Sequence, residues 1–144
     1  MINDVINAIT VQLYNVFGSK YTIYPNNVKQ NIKTPCFIVI SVTDEMQNLL
    51  GTRKKLNNAI CIHYIPDKED KADINTVKNT LYANMEFITC LNGDVLRGTG
   101  MNSTIDNDGE GNVLHFFVNY NFTINSVKPT ENYMEEITQK IRGE

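Results

Sequence analysis

The sequence predicts an α+β fold: a mostly antiparallel sheet, two longer helices packed on one of its faces, and a short C-terminal helix. Three observations predict it. The run from Val113 to Ile124 alternates at a period of two. Leu114, Phe116, Val118, Tyr120, Phe122 and Ile124 fall on one side, and His115, Asn119 and Asn121 on the other, with Phe117 the exception. That is the signature of a half-buried antiparallel strand. Two segments, 2–17 and about 70–91, instead carry apolar residues at spacings of three and four, as amphipathic helices do. Finally, strand signals come in blocks rather than in strict alternation with helices, which favours α+β over a parallel α/β sheet.

The first helix is marked by Ile2, Val5, Ile6, Ile9, Leu13 and Val16/Phe17, with Asn3 and Asp4 suited to its first turn and Gly18 to its end. Tyr21–Tyr24 is a short strand stopped by Pro25-Asn26-Asn27. Pro35 introduces Cys36 to Thr43, apolar on both alternate sets and so a central strand covered on both sides. Asp44 to Gly51 is expected to turn the chain, and Lys55 to Ile65 to form the next strand. Asp67, Asp70 and Asp73 then crowd the start of the second helix, where carboxylates complement the helix dipole. Its stripe is Ile74, Val77, Leu81, Met85, Ile88 and Leu91, closed by Asn92-Gly93. Val95 to Ile105 pairs with the Val113 strand through the turn Asp106-Asn107-Asp108-Gly109. Gly98 and Gly100 share a face there and permit close approach by a helix or a neighbouring subunit. Pro129 opens a tail in which Tyr133, Ile137 and Ile141 sit four residues apart, a short amphipathic helix. Residues 1–128 therefore read as one domain and 129–144 as an amphipathic extension.

Composition bounds the function. A chain of 144 residues suffices for one sizeable core. A net charge of −3 gives no basis for sequence-independent nucleic-acid binding. No apolar run is long enough to span a bilayer, and Ile2-Asn3-Asp4-Val5 does not open a signal peptide. Three widely spaced cysteines argue against a disulfide framework and for a reducing compartment.

The search for chemistry excludes more than it finds. Cys61 and His63 lie two apart on one strand, and Cys36, Cys90 and His115 could join them. Zinc sites usually show close ligand pairs in two clusters, and one pair is present, so buried apolar cysteines are the expected role and no metal or cofactor is assigned. No loop-borne cysteine with an orienting partner suggests a thiol nucleophile. Asp106, Asp108 and Glu110 are spaced like calcium-loop oxygens, but the chain runs straight into a strand, as a hairpin turn requires. Gly98-Thr99-Gly100 precedes no helix pattern and is no phosphate loop. No carboxylate pair or catalytic triad appears, and the chain is not expected to be an enzyme.

The sequence resembles the phage tail terminator family of prophages and phage-tail-like particles of Gram-positive bacteria. The opening helix with Gly18, Tyr21-Thr22-Ile23-Tyr24 and Thr34-Pro35-Cys36-Phe37-Ile38 carry the resemblance. So do Gly51-Thr52-Arg53, Cys61-Ile62-His63-Tyr64-Ile65-Pro66 and Glu86-Phe87-Ile88. Most specific are Gly93 to Met101 and Val113 to Phe122. The resemblance spans residues 1 to about 127 and implies an α+β protein assembled in the bacterial cytoplasm and retained in the mature particle. It implies a ring of copies of itself, six in number, that caps the head-proximal end of the tail tube. The implied partners are the tube protein, the sheath protein where the tail contracts and a head connector where a head is present. No membrane is implied, and DNA only passes through the lumen. A head-completion or connector ring is the alternative within the same assembly, and a small Cys/His enzyme the alternative outside it.

A ring needs two different mutually fitting patches on each subunit. Expected contributors are the basic cluster Arg53, Lys54 and Lys55, the polar strand face at Asn119 and Asn121, and the tail stripe of Tyr133, Ile137 and Ile141. The basic cluster would meet an acidic partner or passing DNA.

Overall fold

Among the described residues, six strands and two helices of modest length make the fold mostly β, which corrects the expectation of two longer helices packed on a sheet. The structure, a computed structural model, describes residues 2–25, 32–67, 71–107 and 111–125. Elements run α1 (Ile2–Phe17), β1 (Thr22–Tyr24), β2 (Cys36–Asn48), β3 (Arg53–Ile65), α2 (Lys71–Asn84), β4 (Phe87–Thr89), β5 (Val95–Asn107) and β6 (Asn112–Asn125). They form one six-stranded sheet in the order β1-β2-β3-β6-β5-β4. The chain divides into two compact units, Met1–Glu45 with Asn57–Asn121, and Met46–Leu56 with the chain from Phe122 onward.

The principal correction concerns the second helix. α2 has 14 residues and ends at Asn84, although the apolar stripe continues through Met85 and Ile88. The chain instead bends and re-enters the sheet as β4, pairing antiparallel with β5 at Phe87↔Arg97, Ile88↔Leu96 and Thr89↔Val95. The spacing of three between Met85 and Ile88 reads as helix, but Met85 lies in the bend before β4, and Phe87, Ile88 and Thr89 are strand formers. The long-range partner decides the outcome. Asn92-Gly93, expected to close a helix, forms the β4–β5 turn, with the Cys90 amide bonded to the Asp94 carbonyl at 2.8 Å. Leu91 is consequently exposed instead of buried.

A second correction lies at β2. Asp44 to Asn48 do not turn but extend β2, and the chain turns only at residues 49–52 before β3. In the smaller unit the Leu49 amide bonds the Arg53 carbonyl, closing this hairpin tip. Thr52 donates a hydroxyl hydrogen bond to the Asn125 side chain there. The sheet is also not wholly antiparallel, since β1 pairs parallel to β2.

Within the larger unit the predicted core is well placed. Val5, Ile9 and Leu13 of α1 are buried, as are Ile74, Val77 and Leu81 of α2. On β6, Leu114, Phe116, Val118 and Tyr120 are fully buried. Phe17, Tyr21, Phe37 and Tyr64 form an aromatic cluster with centroid separations of 4.8–6.0 Å. Tyr82 of α2 meets the Phe116 ring edge-on at 5.0 Å. Gln12 of α1 donates to the Asn84 carbonyl at the end of α2 (2.9 Å).

The β5–β6 pairing expected from sequence is present, from Gly98↔Tyr120 to Asn107↔Asn112, with a register shift between Thr99 and Asn102. Gly100 supplies the positive φ of 62° at this bulge. The shift separates the two glycines expected to share a face. A side chain at Gly98 would meet Val118 and Tyr120 in the core, whereas one at Gly100 would meet Asn119 on the opposite side. Gly98 does permit a close approach: its amide donates to the Glu86 carbonyl at 2.5 Å, pinning β5 to the bend after α2. Of the expected turn Asp106-Asn107-Asp108-Gly109, Asp106 and Asn107 belong to β5, while Asp108 and Gly109, like the extension 129–144, lie outside the described residues.

Candidate functional site

The sheet carries a wetter face, and two features sit on it in the larger unit. The period-two alternation of β3 and β6 creates it by sending Ile60, Ile62, Tyr64 and their β6 counterparts inward. What remains outward on β3 is Asn57, Ala59, Cys61 and His63; on β6 it is His115, Phe117, Asn119 and Asn121.

The first feature is a polar groove of about 310 Å³ lined by Thr43, Glu45, Asn57, Asn58, Ala59, Asn119 and Asn121. Hydrogen bonds fix its floor. Asn57 Nδ2 donates to Glu45 Oε1 at 3.0 Å, and the Asn58 amide donates to Asn121 Oδ1 at 3.3 Å. The buried Asn58 side chain turns inward and donates to the Tyr120 carbonyl at 3.1 Å. Asn119 and Asn121, singled out from the β6 alternation, are thus brought together. Sequence reasoning missed Glu45 because it placed a turn there, and Thr43 and Asn57 because their meeting with Asn119 and Asn121 depends on the tertiary pairing of the strands.

The second feature is a cluster of Cys61, His63 and His115, whose ligand-type atoms all lie within 4.8 Å of one another. The imidazoles meet edge to face, with centroids 4.3 Å apart. His115 Nε2 lies 3.1 Å from Asp106 Oδ2 on β5. Burial, and secondarily the neighbouring His115, lowers the His63 pKa, against the opposing pull of Asp106. Burial also pushes the Cys61 thiol up to about 11. Both groups are therefore neutral near pH 7. Cys36 and Cys90, grouped with them from sequence, take no part in this cluster.

The basic cluster does not form one patch. Arg53 and Lys55 are exposed at alternate positions of β3, and Lys54 between them donates to Asn48 Oδ1 at 3.2 Å. Tyr133, Ile137 and Ile141 lie outside the described residues.

Two exposed apolar patches, neither legible from sequence, flank the larger unit's part of the sheet. Beside edge strand β1, α1 exposes Val11 (49%) and Tyr14 (55%), which with Thr10, Ser19, Tyr21 and Ile23 line a groove of about 460 Å³. At the other edge, β4 and the start of β5 expose Phe87 (55%) and Val95 (60%), and the Arg97 guanidinium lies 6.0 Å from the Phe87 ring centroid. The described residues hold no helix long and apolar enough to cross a membrane.

A mostly β chain with apolar patches at both sheet edges and a polar groove between presents surfaces suited to contact with other proteins. The family model described as phage tail terminator protein matches residues 4–133. The chain belongs to the phage tail terminator family, a family of structural phage tail proteins, and its role is tail completion, in contact with other tail components and as part of the virion. No curated protein matches the sequence.

Proposed function

We propose that this chain forms a closed ring, of six copies, on the head-proximal end of the tail tube, where it stops tube growth and presents a surface to the next component. Where the tail contracts, the ring also meets the last layer of sheath; where a head is present, it meets the connector. The observation that carries the reading is the pair of unlike apolar patches at opposite edges of the sheet. A closed ring is built from heterologous contacts, one patch of each subunit against a different patch of the next. Val11 and Tyr14 at the β1 edge, and Phe87 and Val95 at the β4 edge, supply two such patches. A bound neighbour at each would cover apolar surface otherwise left in water.

The asparagine-lined groove and the exposed Arg53 and Lys55 then serve axial contacts, with tube, sheath or the strand of DNA in the lumen. Tyr133, Ile137 and Ile141 are assigned to docking on a neighbouring subunit or a collar partner.

The test is the size of assemblies formed by Tyr14→Asp and Phe87→Asp, alone and mixed. Each variant alone is expected to be monomeric. An equimolar mixture is expected to stop at pairs, because one intact patch survives on each chain. Hexamers from either variant would overturn the assignment of the seam. Particles made without the protein are expected to show tubes of uncontrolled length by electron microscopy, and normally capped tails would overturn the function.

A further inference from the structure

We infer that Cys61, His63 and His115 form a binding site for a divalent transition-metal ion, best suited to zinc. The inference is independent of ring formation. β3 offers Cys61 and His63 at i and i+2, hence on one face, and the β3–β6 pairing adds His115 from the neighbouring strand. Their ligand-type atoms all lie within 4.8 Å of one another. Tetrahedral zinc, with bonds of about 2.0–2.1 Å to nitrogen and 2.3 Å to sulfur, spaces its ligands about 3.3–3.6 Å apart. Closing the difference asks for shifts of about 1 Å in the ligand atoms.

The surroundings fit a metal better than they fit packing alone. Cys61 is only 3% exposed although it belongs to the wetter face, so its sulfur sits in a protected position beside two imidazoles. The His63 and His115 rings meet edge to face with centroids 4.3 Å apart, so both imidazoles stand beside that sulfur. Asp106 meets His115 Nε2 at 3.1 Å. This is the arrangement in which a carboxylate orients a metal-bound histidine from the outer shell, leaving Nδ1 for the ion. One thiolate and two imidazoles make a borderline-soft donor set that selects zinc over magnesium or calcium. Binding deprotonates the Cys61 thiol, and that proton passes to solvent. The fourth position is open to water. The ion would tie β3 to β6 on the same face as the asparagine-lined groove.

The experiment uses the full chain, stripped with a chelator and titrated with cobalt(II) and then zinc(II). Expected are binding of one equivalent, a thiolate-to-cobalt absorption band, and its loss when zinc displaces cobalt. Cys61→Ser is expected to abolish the band, and His115→Gln to weaken binding at least 100-fold. Asp106→Asn is expected to weaken it about 10- to 100-fold, and Cys36→Ser to leave it unchanged. Should Cys61→Ser fail to fold, the partly exposed His115 variant carries the same test. Absence of saturable binding in the wild-type chain, or affinity unchanged in the His115 variant, would overturn the site.

Discussion

Gly98→Ala probes the closest backbone approach in the larger unit. A methyl group at this position would lie 2.7 Å from Val118 Cγ2, 2.8 Å from the Met85 carbonyl oxygen and 3.1 Å from Tyr120 Cε1. Ordinary carbon contacts begin near 3.5 Å, so about 0.4–0.8 Å must be recovered. None of the three neighbours yields easily. Val118 and Tyr120 are fully buried. The Met85 carbonyl accepts the Tyr120 hydroxyl at 2.6 Å, and the next carbonyl accepts the Gly98 amide. Overpacking of this kind costs about 1–3 kcal/mol. The lower entropy of an unfolded chain carrying alanine offsets about 0.4–1 kcal/mol of that. A net loss of about 1–2 kcal/mol follows, which for a chain of this length lowers the melting temperature by roughly 3–8 °C. The assay is thermal unfolding at one fixed concentration, because assembly raises apparent stability. A double-mutant cycle with Val118→Ala localises the effect: that truncation removes one clash and leaves the carbonyl, so the rescue is partial. A Gly98→Ala protein as stable as the wild type would refute the reasoning.

Two further outcomes follow from the same core. Tyr120→Phe leaves the Met85 carbonyl without its 2.6 Å donor and is expected to cost about 1–3 kcal/mol, measured by urea unfolding; an unchanged midpoint would show that water replaces the hydroxyl. Alkaline pH should also destabilise the fold. Burial raises the Cys36 thiol from 9.0 to about 11 and holds the Tyr64 and Tyr120 phenols above their ordinary range. The folded state thus favours the protonated forms. Their stabilising effect is complete below the unfolded pKa values: that of Cys36 is lost as pH rises from 9.0 toward about 11, with a slope of about 1.4 kcal/mol per pH unit, and that of the phenols only as pH rises above 10.0. Cys36→Ala should flatten that slope in unfolding curves recorded with chelator present, and an unchanged slope would exclude the thiol.

Local pattern alone determined α1, the strands at Cys36, Lys55, Val95 and Val113, the β5–β6 pairing and the family to which the chain belongs. Each of these depends on periodicity or motif order within one stretch of chain. The buried row Leu114 to Tyr120 was legible because a half-buried strand writes its orientation into every second residue. Only the tertiary structure decided the fate of Met85 to Leu91: the apolar spacing there reads as helix, and β5 overrode it by supplying a hydrogen-bonding partner. The wetter sheet face followed the same rule. Asn119 and Asn121 could be picked from β6, but their meeting with Asn57 and Glu45 depended on the register between strands, which sequence spacing does not encode. His115 likewise stands more than fifty residues from Cys61 in the chain. The β3–β6 pairing alone brings them together, because a sheet's neighbours are set by hydrogen bonding across the fold and not by distance along the chain.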